Sequence, residues 1–287
     1  MKLGYYPGCA LHGSSIEYNQ STEAVFNALG MELVELQEWN CCGASAGHST
    51  DHFLAVALPL RNLVIAEAEQ QKDLVLPCAA CYNTIKAADH YVREGTAAAK
   101  DANEELKAIM GSGYSGKVNV THPLEILSKK EYVKAIGEKV KKPLTGLKLA
   151  PYYGCLLSRP AYVAFEDVER PVGMDILMEK VGADVRKWSY KTDCCSGGLG
   201  LPRPDAVTEI VTKLINEAQR AGANAAVTAC PMCQVTLDSR QQNIKNPIPV
   251  FHFTELLGIS FGHPDARKWM KKHITDPIPL LTSLRLL

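Results

Sequence analysis

This chain writes one five-cysteine pattern twice, and no other feature constrains its fold as much. Cys9 is followed after thirty-one residues by Cys41-Cys42, and after thirty-five more by Cys78-Ala79-Ala80-Cys81. Cys155 is followed after thirty-eight residues by Cys194-Cys195, and after thirty-four more by Cys230-Pro231-Met232-Cys233. All 10 cysteines fall in one set or the other. Internal repetition fixes architecture before any local reading does, and here each half must assemble its site from three separated segments.

Several chemistries use such a set. Disulfides suit it poorly, because each set is odd and adjacent cysteines bond to one another only with strain. A single structural zinc takes four ligands and leaves one thiol of five unused. An iron–sulfur cluster offers several irons to thiolates, and a Cys-x-x-Cys pair grips one edge of it. Iron–sulfur is the favoured reading, with a zinc-stapled interaction module as the non-enzyme alternative. A dithiol enzyme built on Cys78-x-x-Cys81 or Cys230-x-x-Cys233 leaves the other six cysteines without purpose.

The 287 residues suffice for two domains of about 140 residues, each with its own core. Lys plus Arg and Asp plus Glu both number 31, so the basic excess of a nucleic-acid protein is missing. Met1-Lys2-Leu3-Gly4-Tyr5 carries no charged-then-apolar signal, and cysteine-rich chains without one are expected in a reducing, cytoplasmic setting. Apolar stretches such as Phe53 to Leu60 are far short of a membrane span.

The repeat extends beyond cysteine. Lys2-Leu3-Gly4-Tyr5-Tyr6-Pro7-Gly8-Cys9 aligns with Lys148-Leu149-Ala150-Pro151-Tyr152-Tyr153-Gly154-Cys155, and His122-Pro123-Leu124-Glu125 with His252-Phe253-Thr254-Glu255. Duplication explains this, with first and second repeat domains expected over 1–142 and 147–287, joined by the basic Pro/Gly-bearing segment around Lys141-Lys142-Pro143. Short apolar runs near Leu3, Leu33, Leu74 and Val118, and their counterparts, alternate with helical patterns. The clearest helix runs from Pro204 to Arg220, with Val207, Ile210, Val211, Leu214, Ile215 and Ala218 on one face. The stretch from Arg93 to Lys117 reads as an inserted helix and loop. The alternation predicts an α/β fold of two tandem similar domains, each a small parallel sheet covered by helices. Cys9, Cys78, Cys155 and Cys230 then follow strands, at the carboxyl-end rim where such sheets bind ligands. Gly43-Ala44-Ser45-Ala46-Gly47 and Ser196-Gly197-Gly198-Leu199-Gly200 let backbone approach that rim closely.

The doubled Cys…Cys-Cys…Cys-x-x-Cys pattern resembles the cysteine-rich CCG domain family, over nearly the whole chain. Within it the two-repeat form, with the tail Lys272-His273-Ile274-Thr275-Asp276-Pro277, looks most like the B subunits of methanogen heterodisulfide reductases. Ser196 departs from the pattern where glycine is expected; Gly43 keeps it. The resemblance implies one noncubane [4Fe-4S] cluster per repeat, held by Cys9, Cys41, Cys42, Cys78 and Cys81 and by Cys155, Cys194, Cys195, Cys230 and Cys233. It implies reduction of the coenzyme M–coenzyme B heterodisulfide by two electrons, with Cys9, Cys41, Cys155 and Cys194 at the reacting edges. The alternative within the family is an electron-relay subunit of a hydroxy-acid or succinate oxidoreductase complex. Implied partners are an iron–sulfur electron-donor subunit and a flavin-containing subunit, since no flavin, nicotinamide or ferredoxin motif is present.

For the anionic substrate, Arg159 and Arg203 are candidate contacts, against the plainer reading of surface arginines. His48 is a candidate proton donor. His122 and His252 read as a duplicated packing element, and Tyr6 and Tyr153 as shields beside the first cysteine of each set. The apolar end Pro277-Ile278-Pro279-Leu280-Leu281 reads equally as a docking tail or as core.

Overall fold

A computed structural model describes residues 1–287, the side chain of His48 excepted. The first half forms a sheet of β1 (Lys2–Tyr5), β2 (Glu32–Glu35), β3 (Asp73–Val75) and β4 (Asn119–Thr121), in the order β2-β1-β3-β4. The second half repeats it with β5 (Lys148–Tyr152), β6 (Asp184–Val185), β7 (Ala225–Thr228) and β8 (Val250–His252), in the order β6-β5-β7-β8. Every pairing is parallel, with Leu3 opposite Leu33, Leu74 opposite Val120, and Val227 opposite Phe251. The α/β architecture is thus the expected one. Parallel strands are covered on both faces, which is why they read as short apolar runs without alternation.

The order places each site. The chain steps from β1 outward to β2, then returns to the other side of β1 as β3. The crevice at such a reversal lies between the carboxyl ends of β1 and β3. Cys9 and Cys78 follow those two strands, and Cys155 and Cys230 follow β5 and β7.

The helix Pro204–Arg220 forms as read, with Pro204 in its first turn and Val207, Val211, Leu214, Ile215 and Ala218 buried. The inserted stretch holds the helix Ala97–Met110. One expectation changes: the halves do not bury separate cores. A single continuous set of buried side chains runs from Leu3 to Leu286. The helices Ile16–Ala28 and Phe253–Ser260 pack together across the seam, where the Ser21 and Thr254 hydroxyls lie 2.7 Å apart. The physical reason is that helix Phe253–Ser260 is buried at every residue, its polar Thr254, Glu255 and Ser260 included, so one sheet cannot cover it alone. The C-terminal segment also packs inward. Leu281 and Leu286 are buried, and the Lys142 ammonium donates to the Leu286 carbonyl.

Candidate functional site

Each five-cysteine set is built alike. The first cysteine leaves its strand through a glycine in the left-handed region, Gly8 at φ 70° and Gly154 at φ 68°. A side chain there is excluded twice over. The conformation disfavours it, and a Cβ would lie 3.0 Å from the sulfur of Cys81 or Cys233 respectively. The last pair begins a helix in both halves. Cys78 stands at the N-cap position of Ala79–Glu94 and Cys230 at that of Pro231–Ser239, which brings each last pair to a helix amino end.

The middle pair is held by a tyrosine. Tyr6 donates to the carbonyl of Asn40, immediately before Cys41, at 2.8 Å. Tyr152 donates to the carbonyl of Asp193, immediately before Cys194, at 2.6 Å. The residue equivalent to Tyr6 is therefore Tyr152, and the expectation for Tyr153 is corrected. Tyr153 faces away, donating to Asp175 and accepting from the Met174 amide. The Lys148-to-Cys155 alignment already paired Tyr6 with Tyr152, so the signal was present in register rather than in proximity to cysteine. Burial, then the neighbouring thiols, push both Tyr6 and Tyr152 above the ordinary tyrosine range. They position the cysteine loops and do not serve as acids.

The Sγ atoms of Cys42 and Cys81 lie 3.3 Å apart, and those of Cys195 and Cys233 3.6 Å. Hydrogen bonds from neighbouring thiols, Cys41 and then Cys81, pull Cys42 down to about 4. The Cys155 thiol pulls Cys194 down to about 5. Each set has an exposed edge, Cys9 with Cys41 and Cys194 with half-buried Cys155, and an inner buried trio. The inner edges face each other across the seam: the carbonyls immediately before Cys78 and Cys230 both lie 3.3 Å from the Tyr18 hydroxyl.

All five thiols of the first set line a cavity of about 190 Å³, together with Pro231, Met232 and Val235 of the second half. Among the described residues, no three Cys, His, Asp or Glu side chains are grouped as one metal ion requires. Five thiols around a chamber, with a glycine keeping its wall clear, fit a multi-iron cluster better than a single ion.

Two donors tie the cysteine loops together. The Tyr18 hydroxyl points at the carbonyls of both Pro77 and Ala229, 3.3 Å from each. His122 Nε2 reaches the same two oxygens at 2.9 and 3.1 Å, while its Nδ1 accepts from the Leu124 amide. These carbonyls immediately precede Cys78 and Cys230. His122 is thus a neutral helix-capping residue, and burial lowers it to about 4. Its repeated packing role stands, with an added function at the seam.

The substrate candidates are not brought together. Arg159 pairs with Glu169 at 2.8 Å and reaches the Thr192 carbonyl at 3.3 Å, close behind Cys194. Arg203 pairs with Asp205 on the exposed surface. The His48 side chain lies outside the described residues.

The family profile of the cysteine-rich domain named CCG matches residues 3–86 and again 149–238. Over 286 residues the chain is 30% identical to the 8-methylmenaquinol:fumarate reductase membrane anchor subunit of Wolinella succinogenes, covering 97% of this chain and 99% of that one. It is 27% identical over 293 residues to the B subunit of the ferredoxin:CoB-CoM heterodisulfide reductase of Methanosarcina mazei, covering 99% and 97%. A protein of Archaeoglobus profundus, described as like the B subunits of heterodisulfide reductases, is 28% identical over 274 residues, 91% of each chain. Among solved structures, a hypothetical protein from Helicobacter pylori superposes with a TM-score of 0.76 at 12% identity, over 96% of this chain and 52% of that one. The chain spans about half of that solved protein, and the likeness is one of fold. No helix of the described residues is long and apolar enough to cross a membrane.

Proposed function

The chain belongs to the cysteine-rich CCG family, and we propose that it is the catalytic iron–sulfur subunit of a multi-subunit reductase that cleaves the coenzyme M–coenzyme B disulfide. The observation that carries this reading is the approach of the two five-thiol sets across the seam, where the Tyr18 hydroxyl and the His122 ring each reach the carbonyls before both Cys78 and Cys230. Two [4Fe-4S] clusters, noncubane by family resemblance, would supply two adjacent one-electron carriers. Cleaving a disulfide to two thiols consumes two electrons and two protons, so a paired site matches the stoichiometry.

The chain's own residues divide the work. Cys42, Cys78, Cys81, Cys195, Cys230 and Cys233 form the buried grip. Cys9, Cys41, Cys155 and Cys194 form the edges a substrate approaches. Tyr6 and Tyr152 hold the cysteine pairs by their preceding carbonyls, and Tyr18 with His122 keeps the inner loops in register. Arg159 stands nearest to binding an anionic group, once exchanged from Glu169. Electrons would come from an iron–sulfur donor subunit and, through it, a flavin-containing subunit; a cytoplasmic location belongs to the same reading.

A second reading is favoured by the relative from Wolinella succinogenes and by the cavity lining, which carries no cationic side chain among the described residues. In it the chain relays electrons within a quinol- or succinate-linked complex and binds no disulfide.

Iron and acid-labile sulfide should reach about eight of each per chain after anaerobic purification. Titration with the heterodisulfide then changes the cluster spectrum under the first reading and leaves it unchanged under the second. Full two-electron turnover in Cys41→Ala would sink the catalytic reading. Zinc without sulfide would sink both.

A further inference from the structure

Behind the second site lies a buried cluster of ionisable side chains that the reaction above does not use. Glu255 and His273 form an ion pair at 2.9 Å with both side chains fully buried. Glu17 reaches in from the first half, 5% exposed, with its Oε1 4.0 Å from His252 Nε2. Both ring nitrogens of fully buried His252 lack hydrogen-bond partners. The ring stacks on Tyr18 at 4.0 Å, and the Tyr18 hydroxyl contacts the carbonyls that precede Cys78 and Cys230.

The duplicated partner shows that this arrangement is not required by the fold. His122 has both nitrogens satisfied, and its ring is covered by Phe165, preceded by Ala164. His252 is covered by Tyr18, preceded by Glu17, and has neither nitrogen satisfied. A carboxylate 4.0 Å from an unpartnered imidazole nitrogen makes no hydrogen bond. A carboxylic acid moved closer by about an ångström would donate to that nitrogen and satisfy it.

We propose that Glu17 and His252 share one exchangeable proton at the seam, taken up as negative charge enters the adjoining cysteine sites and given back as it leaves. When one electron is delivered by an iron–sulfur donor protein, one solvent proton converts the Glu17 carboxylate to the acid, whose O–H donates to His252 Nε2; the pair compensates one electron and releases the proton when that electron leaves. The groups facing the pair are Tyr18 on its own helix, Glu255 beside His252, His273 and Lys272 from the C-terminal segment, and Asp238 and Cys230 at either end of the intervening helix. Burial, with Glu255 adding to it, pushes Glu17 up to about 7, against the pull of His273 and Lys272. Burial holds His252 down at about 4, so the proton rests on the carboxyl side. Burial opposes charge on His273, but Glu255 lifts it to about 9, so that pair stays ionised and Glu17 is the group that titrates near neutrality.

The inference rests on reading the cysteine sets as electron-accepting sites. The test is a redox titration of the full chain with clusters intact, at pH values from about 5 to 9. Each tenfold fall in proton concentration near neutrality should weaken electron binding by up to tenfold, 59 mV for one electron. Glu17→Gln should flatten that dependence while preserving iron and sulfide content. Redox-difference infrared spectra of the unmutated chain should show a carboxylic-acid band growing on reduction, which decides the matter even where the variant fails to fold. A pH-independent potential, an unchanged slope in Glu17→Gln, or no carboxyl band would overturn the proposal. Iron and sulfide assayed on the same sample separate that outcome from failure of the redox reading itself.

Discussion

Cys9 is followed by the helix Ile16–Ala28, whereas after Cys155 the chain runs through turns until the helix Gly173–Lys180. The first half inserts Ala97–Met110 before its last strand; the second closes β7 to β8 without such a helix. Against these differences stand the matched parts: strand order, the left-handed glycine before the first cysteine, and the tyrosine bond to the cysteine-pair loop. Gly8 with Gly154 and Tyr6 with Tyr152, which shape the cysteine loops within each half, are held in common, while the connecting helices have diverged. The lesson is that five thiols from three loops tolerate little displacement, whereas a covering helix needs only an apolar face. Divergence at the seam is the exception: Glu17 and the fully buried Glu255–His273 pair place charge around His252, whereas His122 has only the half-buried Glu125–Lys86 pair beside it.

The strongest effect should come from acid, and it tests what the halves share. His122 and His252 are both buried and neutral, with folded values near 4 against an ordinary 6.5. A depressed folded value contributes stability above 6.5 that is lost as pH falls through 4, about 3 kcal/mol for each histidine. Denaturant titrations at stepped pH should show this loss, and His122→Gln should remove about half of it. An unchanged acid limb in that variant would break the equivalence. From neutrality to about pH 9 the second half adds a loss of its own: His273, raised to about 9, contributes stability that is complete below 6.5 and lost as pH rises through 9.

Next come the matched glutamates. Glu255→Gln leaves a charged, fully buried His273 without its partner and should cost about 3–5 kcal/mol. Glu125→Gln touches a half-buried carboxylate 4.0 Å from Lys86 and should cost about 1 kcal/mol or less. Equal losses on thermal unfolding would show that the two seams are alike after all.

Gly8→Ala and Gly154→Ala should each cost about 2–3 kcal/mol from the left-handed backbone and the crowded cysteine sulfur. Gly8→Ala should be the worse, because a Cβ there also meets the Tyr6 ring at 3.2 Å against 3.6 Å from Tyr152 at Gly154. Iron content per chain would follow the same order. Iron retained in full by Gly8→Ala would refute the crowding argument.

The smallest effect concerns the position after each cysteine pair. Gly43 has φ 78° and Ser196 φ 57°, so the missing glycine of the second repeat is a serine held in the same left-handed region. Ser196→Gly should stabilise by about 1 kcal/mol. Gly43→Ser should destabilise by more than that, since a Cβ there also comes within 3.0 Å of the Leu58 side chain. A paired melting-temperature comparison checks both signs.

Much of this was legible in residue order. The duplicated cysteines, the buried strand runs, the Pro204–Arg220 helix and the rim position of Cys9, Cys78, Cys155 and Cys230 follow from local period and spacing, because strand and helix geometry repeat over a few residues. What spacing could not express is contact between segments far apart in the chain. The Tyr18 bond to Ala229 joins residues 211 positions apart, and that of His122 to Ala229 spans 107. The sequence by itself thus determined two like sheets and two five-thiol sets. Only the tertiary structure decided that the loops before Cys78 and Cys230 share Tyr18 and His122 as donors, that Tyr152 and not Tyr153 holds the second loop, and that Glu17 faces His252. Those outcomes depend on how two sheets pack across a shared core, and side-chain packing answers to neighbours in space that no local pattern names.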